Sequence, residues 1–276
     1  MAPISRRRLL RSSMVLALCA AAAAGCGKEP QETAPRPTTQ VSLTLRAQPE
    51  GIVTPRVEPA GTSAGEVMPS ELDEIKRILE ARAEAAGFSD LRVEPRPPDS
   101  LFVEFACAGD PEWAKALLTD TGLLEFRAIP RRYAREATAV GEMLWRDDSG
   151  TAVDASDVVG QSPVIVSGRD FAPTSRVEAG PDRRTGVTFS LRDEAREAFQ
   201  VFTRDHVDTY LAIVFDGELL SCPMIRSAIL GEGVIEGGFD EPGGKDRAEK
   251  LAILINSGPL PLDLECVDST SEQLPQ

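Results

Sequence analysis

The sequence predicts an α+β protein made of two ferredoxin-like βαββαβ-type units, with mainly antiparallel sheets and helices on one face. Three observations lead there. Short segments with the strand period of two alternate with helical 3.6-residue patterns in the order β-α-β-β-α-β between residues 41 and 128. A second series of strand, helix, hairpin and helix runs from residue 187 to 267. The chain of 276 residues, 42% hydrophobic and 27% charged with 22 Gly and 21 Pro, has the balance of a globular protein that buries a core.

The first segment, residues 1–25, reads as an export leader. Arg6, Arg7, Arg8 and Arg11 precede an uncharged apolar stretch from Met14 to Ala24, which is too short to span a bilayer, since spanning takes roughly 20 residues. Ala23-Ala24-Gly25-Cys26 resembles a bacterial lipobox, which makes Cys26 the expected lipidated first residue of the mature chain. The arginine run also resembles a twin-arginine signal, so the export route stays open between the two systems. Gly27 after Cys26, in place of Asp, favours sorting to an outer membrane where the cell has one. Residues 26–39, polar and proline-rich, form the expected tether.

Residues 40–130 form the first unit. Val41-Ser42-Leu43-Thr44-Leu45 alternates as a strand. Ser70-Glu71-Leu72-Asp73 opens a helix like a capping box, with Leu72, Ile75, Ile78, Leu79 and Ala83 on one face and Gly87 as its stop. Leu91-Arg92-Val93 and Leu101 to Phe105 are two strands about a Pro-Asp turn. Asp110-Pro111 caps a second helix running to about Asp120, and Leu123 to Ala128 closes the unit as its last strand.

Residues 131–259 form the second unit, opened by an irregular insertion from Arg131 to Gln161 with no sustained periodicity. Val187 to Leu191 is a strand, and Asp193 to Asp205 is a helix with Ala195, Ala198, Phe199 and Phe202 inward. Tyr210 to Phe215 is a strand that turns at Asp216-Gly217 into Leu219-Leu220, because a two-residue hairpin turn needs positive φ. Val234-Ile235 is a further strand among glycines, and Lys245 to Asn256 is the last helix. Residues 260–276 supply a return strand and the C-terminal tail.

Charge and composition narrow the function. With 30 Lys+Arg against 44 Asp+Glu the formal net charge is −14, so nucleic acid is not an expected partner. Removal of the leader takes away four arginines and no acid, which makes the mature chain more acidic still. Any membrane attachment would then come from the lipid on Cys26 rather than from a basic surface. The single histidine, His206, excludes multi-histidine metal sites and, beside Asp205 with no Gly-x-Ser-x-Gly elbow, suits a solvated helix end better than catalysis. Asp240, Glu241, Asp246 and Glu249 do not have the spacing of a calcium loop, and Gly231, Gly233, Gly237 and Gly238 suit hairpin turns rather than a phosphate loop. No catalytic residue, metal or cofactor is expected. Beyond Cys19 in the leader and Cys26, the cysteines are Cys107, Cys222 and Cys266, which allow at most one disulfide or three buried thiols.

Several segments, taken in order, resemble one family. Val187-Thr188-Phe189-Ser190-Leu191, Phe202-Thr203, Leu211 to Gly217, Ser221-Cys222-Pro223, and Leu251-Ala252 leading to Ser257-Gly258-Pro259-Leu260-Pro261 are similar to the large periplasmic domain of the SecD protein-export subunit. Leu123 to Arg127 and Ser167 to Phe171 resemble its further strands and turn, and the likeness spans roughly Val41 to Val267. In these terms residues 40–130 match the base and 131–259 the head subdomain. The chain departs from the family in having no transmembrane motor helices and no Asp-Leu-x-Gly-Gly element, and in placing Cys222 where a small alanine is usual.

Together with the lipobox at Cys26, the resemblance implies a non-enzymatic, lipid-anchored domain on the extracytoplasmic face of the envelope. Its implied partners are exported or unfolded polypeptide and Sec translocase components. The implied contact surface is Asp216, Gly217, Ser221, Cys222, Pro223, Met224 and Ile225. The alternative is a structural envelope lipoprotein that uses the same fold as an interaction module without handling clients.

Overall fold

The computed structural model describes residues 37–52, 67–137, 143–179 and 184–275. The expected leader, Cys26 and most of the tether lie outside the described residues. The elements, in chain order, are β1 (Thr39–Ile52), α1 (Pro69–Ala85), β2 (Ser89–Arg96), β3 (Ser100–Cys107), α2 (Pro111–Thr119), β4 (Leu124–Ala128), β5 (Ala134–Ala137), β6 (Met143–Arg146), β7 (Ala152–Val153), α3 (Ala155–Gly160) and β8 (Val164–Ser167). There follow β9 (Val177–Ala179), β10 (Thr185–Ser190), α4 (Asp193–Asp205), β11 (Leu211–Phe215), β12 (Glu218–Ser221), β13 (Glu232–Ile235), α5 (Gly244–Ser257) and β14 (Leu262–Gln273). Among the described residues no helix is long and apolar enough to cross a membrane.

The α+β class with antiparallel sheets is what the chain adopts, in two lobes. The first lobe is a four-stranded sheet in the order β14-β1-β3-β2, each neighbouring pair antiparallel. Alternation puts Val41, Leu43 and Leu45 of β1 and Leu101, Val103 and Phe105 of β3 on one face, under Ile75, Ile78 and Leu79 of α1 and Ala114 and Leu118 of α2. Each such buried aliphatic side chain contributes about 1.5–3 kcal/mol by leaving water. Helix α2 starts as its sequence predicts, with Asp110 accepting the Glu112 N–H at 3.0 Å ahead of Pro111. Helix α1 starts earlier than expected. Met68, not Ser70, is its N-cap, with Pro69 at the first turn and the Glu71 carboxylate accepting the Met68 N–H at 2.8 Å. Proline presets the helical φ and has no N–H to leave unpaired, so the helix begins on it.

The fourth strand of this sheet is not the one the sequence suggests. Leu124–Ala128 pairs with β11 and β8 in the second lobe, and β14 lies beside β1, with Leu43 opposite Ser269. Alternation tells which face of a strand is buried, not which strand lies next to it.

The second lobe has three antiparallel sheets, in the orders β12-β11-β4-β8, β13-β10-β9 and β5-β6-β7, rather than one ferredoxin-like sheet. Phe126 of β4 is fully buried at its centre. Its ring meets Phe171 and Phe189 edge-on, with centroids 5.2 and 5.0 Å apart, and Phe199 at 5.7 Å. Leu251 and Ile255 of α5 cover the same core. On α4, Phe199 is buried and Ala195 and Phe202 pack against the core, but Ala198 is exposed. Thr203 takes the inward position instead, donating to the Phe199 carbonyl at 2.9 Å and accepting the Ile229 N–H at 2.9 Å. The stretch expected to be irregular holds β5, β6, β7 and α3, and it buries Tyr133, Trp145, Val158 and Val159 against Ala212 and Val214 of β11. Strands of two to four residues are too short to show a period. The thiols of Cys107, Cys222 and Cys266 are free, the first two buried.

Candidate functional site

Strand β11 is apolar on both faces because it lies between two cores, and its end forces a tight reversal. Asp216 and Gly217 both take positive φ, 46° and 84°, as the sequence anticipates. The Asp216 carboxylate does not point outward to receive a partner. It turns back to accept the backbone N–H groups of Gly122 (3.1 Å) and Leu123 (2.7 Å), while the Asp216 N–H donates to the Leu123 carbonyl at 3.0 Å. Burial raises its pKa above the usual 3.8, against the pull of the two N–H donors.

After Ser221 the chain continues antiparallel to the start of β11. The Leu211 N–H donates to the Pro223 carbonyl (2.9 Å), the Ile225 N–H donates to the Thr209 carbonyl (2.8 Å), and Tyr210 and Met224 form a bridge. This pairing fixes which side chains of the expected contact segment are available. Cys222 and Ile225 are buried, Pro223 is exposed, and Ser221 and Met224 are half-buried. The Cys222 thiol packs in the Trp145 cluster, where burial pushes its pKa up to about 11.

Residues 220–223 form one wall of a cavity of about 620 Å³. The opposite wall is Val234 and residues 236–238, at and just beyond β13. Both β12 and β13 stand at the ends of their sheets, so the groove runs between two sheet edges. Gly237 brings the walls close, since a side chain there would begin 3.4 Å from the Leu220 carbonyl oxygen. Arg135 closes one end, its guanidinium donating to the Cys222 carbonyl at 3.0 Å and lying 5.8 Å from the Trp145 ring. Arg184, Glu236 and Asp240 add charges of both signs to the lining. The groove thus offers two sheet-edge strands, some apolar lining and charges of both signs.

The sequence reading finds one wall of this groove and misses the other. Arg135 falls in the stretch read as irregular, and Gly237 and Gly238 read only as turn residues. The remaining candidates are occupied in local structure. The His206 ring stacks on Phe202 with centroids 4.0 Å apart and its Nδ1 lies 2.8 Å from the Phe202 carbonyl oxygen, while Asp205 pairs with Arg204. Asp240 accepts the Thr185 N–H at 2.9 Å, and Glu241 and Glu249 face Arg247 and Lys245.

Residues 143–262, which include both walls of the groove, match the family described as the P1 head subdomain of SecDF. Protein translocase subunit SecD of Acetobacter pasteurianus is 29% identical over 198 residues, covering 70% of this chain and 36% of the relative. SecD of Rickettsia conorii is 25% identical over 206 residues, covering 72% and 39%. The chain is thus similar to SecD over most of its length and to the head subdomain over residues 143–262. The SecD-like chain spans less than two-fifths of the length of these curated relatives. Its fold extends the likeness. A crystal structure of SecDF in a super-membrane-facing form superposes with a TM-score of 0.64 at 22% identity, covering 88% of this chain and 32% of that one. A second SecDF structure, of a membrane component that enhances protein export, gives 0.59 at 23% identity, covering 82% and 98%.

Proposed function

We propose that this SecD-like domain is a non-enzymatic polypeptide-binding module of protein export, working on the extracytoplasmic face of a membrane beside the Sec translocase. The observation that carries the reading is the coincidence of the SecDF head match with the groove between β12 and β13. An extended, unfolded segment would lie along the two strand edges, with the exposed Pro223 and the half-buried Ser221 as the side chains of the predicted set that touch it. Cys222 lines this path as well, whereas Gly217 and Met224 lie outside the groove lining, and the Ile225 side chain and the Asp216 carboxylate hold the hairpin in shape. Cys26, if lipidated, tethers the module to the membrane, in the outer membrane where Gly27 directs it.

The test is photo-crosslinking in cells from residues placed at Ser221 and Pro223, followed by identification of the captured chains. Many different exported polypeptides, or translocase subunits, are the expected products. Capture of one folded envelope protein alone would replace the client-handling reading with an interaction module, and no capture of exported chains would refute it.

A further inference from the structure

Two arginines line the groove between β12 and β13, and they differ in what faces them. Arg184 lies 4.0 Å from the Glu236 carboxylate. Arg135 on β5 stands opposite Trp145 of β6 instead, its guanidinium carbon 5.8 Å from the Trp145 ring centroid. Its Nη1 donates to the Cys222 carbonyl at 3.0 Å, while its Nε is shut away from solvent with no acceptor. The adjacent acid is taken, because Glu136 pairs with Arg146 at 2.8 Å. Among the described residues no carboxylate pairs with Arg135.

The charges are divided between the walls. Arg135 stands with residues 221–223, and Asp240, whose Oδ1 accepts the Thr185 N–H at 2.9 Å, stands on the β13 side. Ile213, Leu220 and Pro223 give the lining its apolar part, with the exposed Val234 on the opposite wall. A guanidinium that is half-buried and already fixed by a carbonyl and a ring attracts an anion more strongly than a freely hydrated one, since much of its desolvation and ordering has already occurred. The chain as a whole pulls the other way. A formal net charge of −14 repels acidic polypeptide and favours basic polypeptide, so a preference for acid in this groove can only come from a local group.

We propose that Arg135 makes the groove selective for extended polypeptide segments that carry an acidic side chain beside an apolar one. The carboxylate takes the Nη donors that the Cys222 carbonyl leaves free, and the apolar neighbour lies against Leu220 and Val234. Asp240 on the other wall repels a second acid, so a run of acids gains nothing over a single one. This selectivity rests on the groove being the polypeptide site proposed above, and it names the segments that the site holds.

Isothermal titration of the full chain with three peptides tests it. The peptides share a Ser/Val background, differ only in a central Glu, Gln or Lys, and have both ends blocked so that no terminal carboxylate competes. The native chain should bind the Glu peptide about fivefold to tenfold more tightly than the Gln or Lys peptide, because a charge-assisted hydrogen bond replaces a neutral one or a repulsion. Arg135→Gln should erase that preference, and Arg135→Lys should keep part of it, since an ammonium retains the charge without the planar fork. Equal binding of the three peptides, a preference for Lys, or a Glu preference that survives Arg135→Gln would overturn the proposal while leaving polypeptide binding intact. Binding of none of them would overturn both. Should Arg135→Gln not fold, Ser221→Asp replaces it, because it sets a carboxylate on the same wall to occupy the guanidinium. The Glu preference should vanish there too, and its retention would count against Arg135.

Discussion

Replacing Asp216 by Ala separates a clamp from a contact. In the native chain its carboxylate accepts two backbone N–H groups at 3.1 and 2.7 Å. Truncation leaves both donors without that partner, at about 1–3 kcal/mol for the part-buried Gly122 N–H and less than about 1 kcal/mol for the exposed Leu123 N–H, which water can reach. Alanine also tolerates the positive φ of 46° less well than aspartate, adding about 1 kcal/mol. Relief of the carboxylate's own desolvation offsets part of this, which leaves a net loss of about 1–3 kcal/mol. Urea unfolding at neutral pH reads it directly. Asp216→Asn, which keeps one acceptor oxygen but turns an N–H group toward a donor, should lose about half as much. The pH dependence has a definite sign. The folded chain holds the Asp216 proton to a higher pH than the unfolded chain does, so this group's contribution to stability is fullest below 3.8 and falls as pH rises through the raised folded value. The stability advantage of the native chain over Asp216→Asn should therefore shrink across that window. An alanine variant within about 0.5 kcal/mol of native stability, but with weakened binding of a reduced and alkylated unfolded polypeptide, would refute the reasoning and make Asp216 a contact residue.

Two further predictions concern the core and the thiols. Phe126→Ala should lower stability by about 3–5 kcal/mol in denaturant unfolding, and Phe126→Leu by about 1–2, because the first leaves a cavity among three phenylalanines and the second removes only the ring contacts. With iodoacetamide at pH 8, mass spectrometry of the native chain should find the partly exposed Cys266 modified before Cys107 and Cys222, which are buried with raised pKa values.

The helices and most strands could be read because each obeys a period that its burial then honours, as in Leu43, Leu45, Ile75 and Ile78. What could not be read was adjacency. Nothing local in Leu123 to Ala128 says that it joins the second lobe, and nothing in Leu262 to Val267 says that it completes the first, since pairing over such distances is decided by the packed whole. The predicted contact segment was placed correctly as hairpin and strand, yet the strand pairing turns Cys222 and Ile225 inward, and only tertiary structure brings Gly237 and Arg135 to it. The fully buried Arg82 did leave a mark. It continues the Ile75, Ile78, Leu79 stripe of α1, and a charged residue on an apolar helix face has to find buried acceptors.

The pairing of β1 with β14 has a consequence for how the chain assembles. The first lobe encloses the second in sequence, with Val41 at one end opposite Ser271 near the other. Its sheet cannot be finished until the last strand has been made and delivered, whereas the second lobe has all its strands earlier. We expect the inner lobe to form first and the outer one to close around its two ends as a slow, late step, because joining remote segments costs more chain entropy than joining near ones. Until then β1 presents an open edge, and a nascent or exported chain paused at this stage would be the form most prone to pair with the wrong partner.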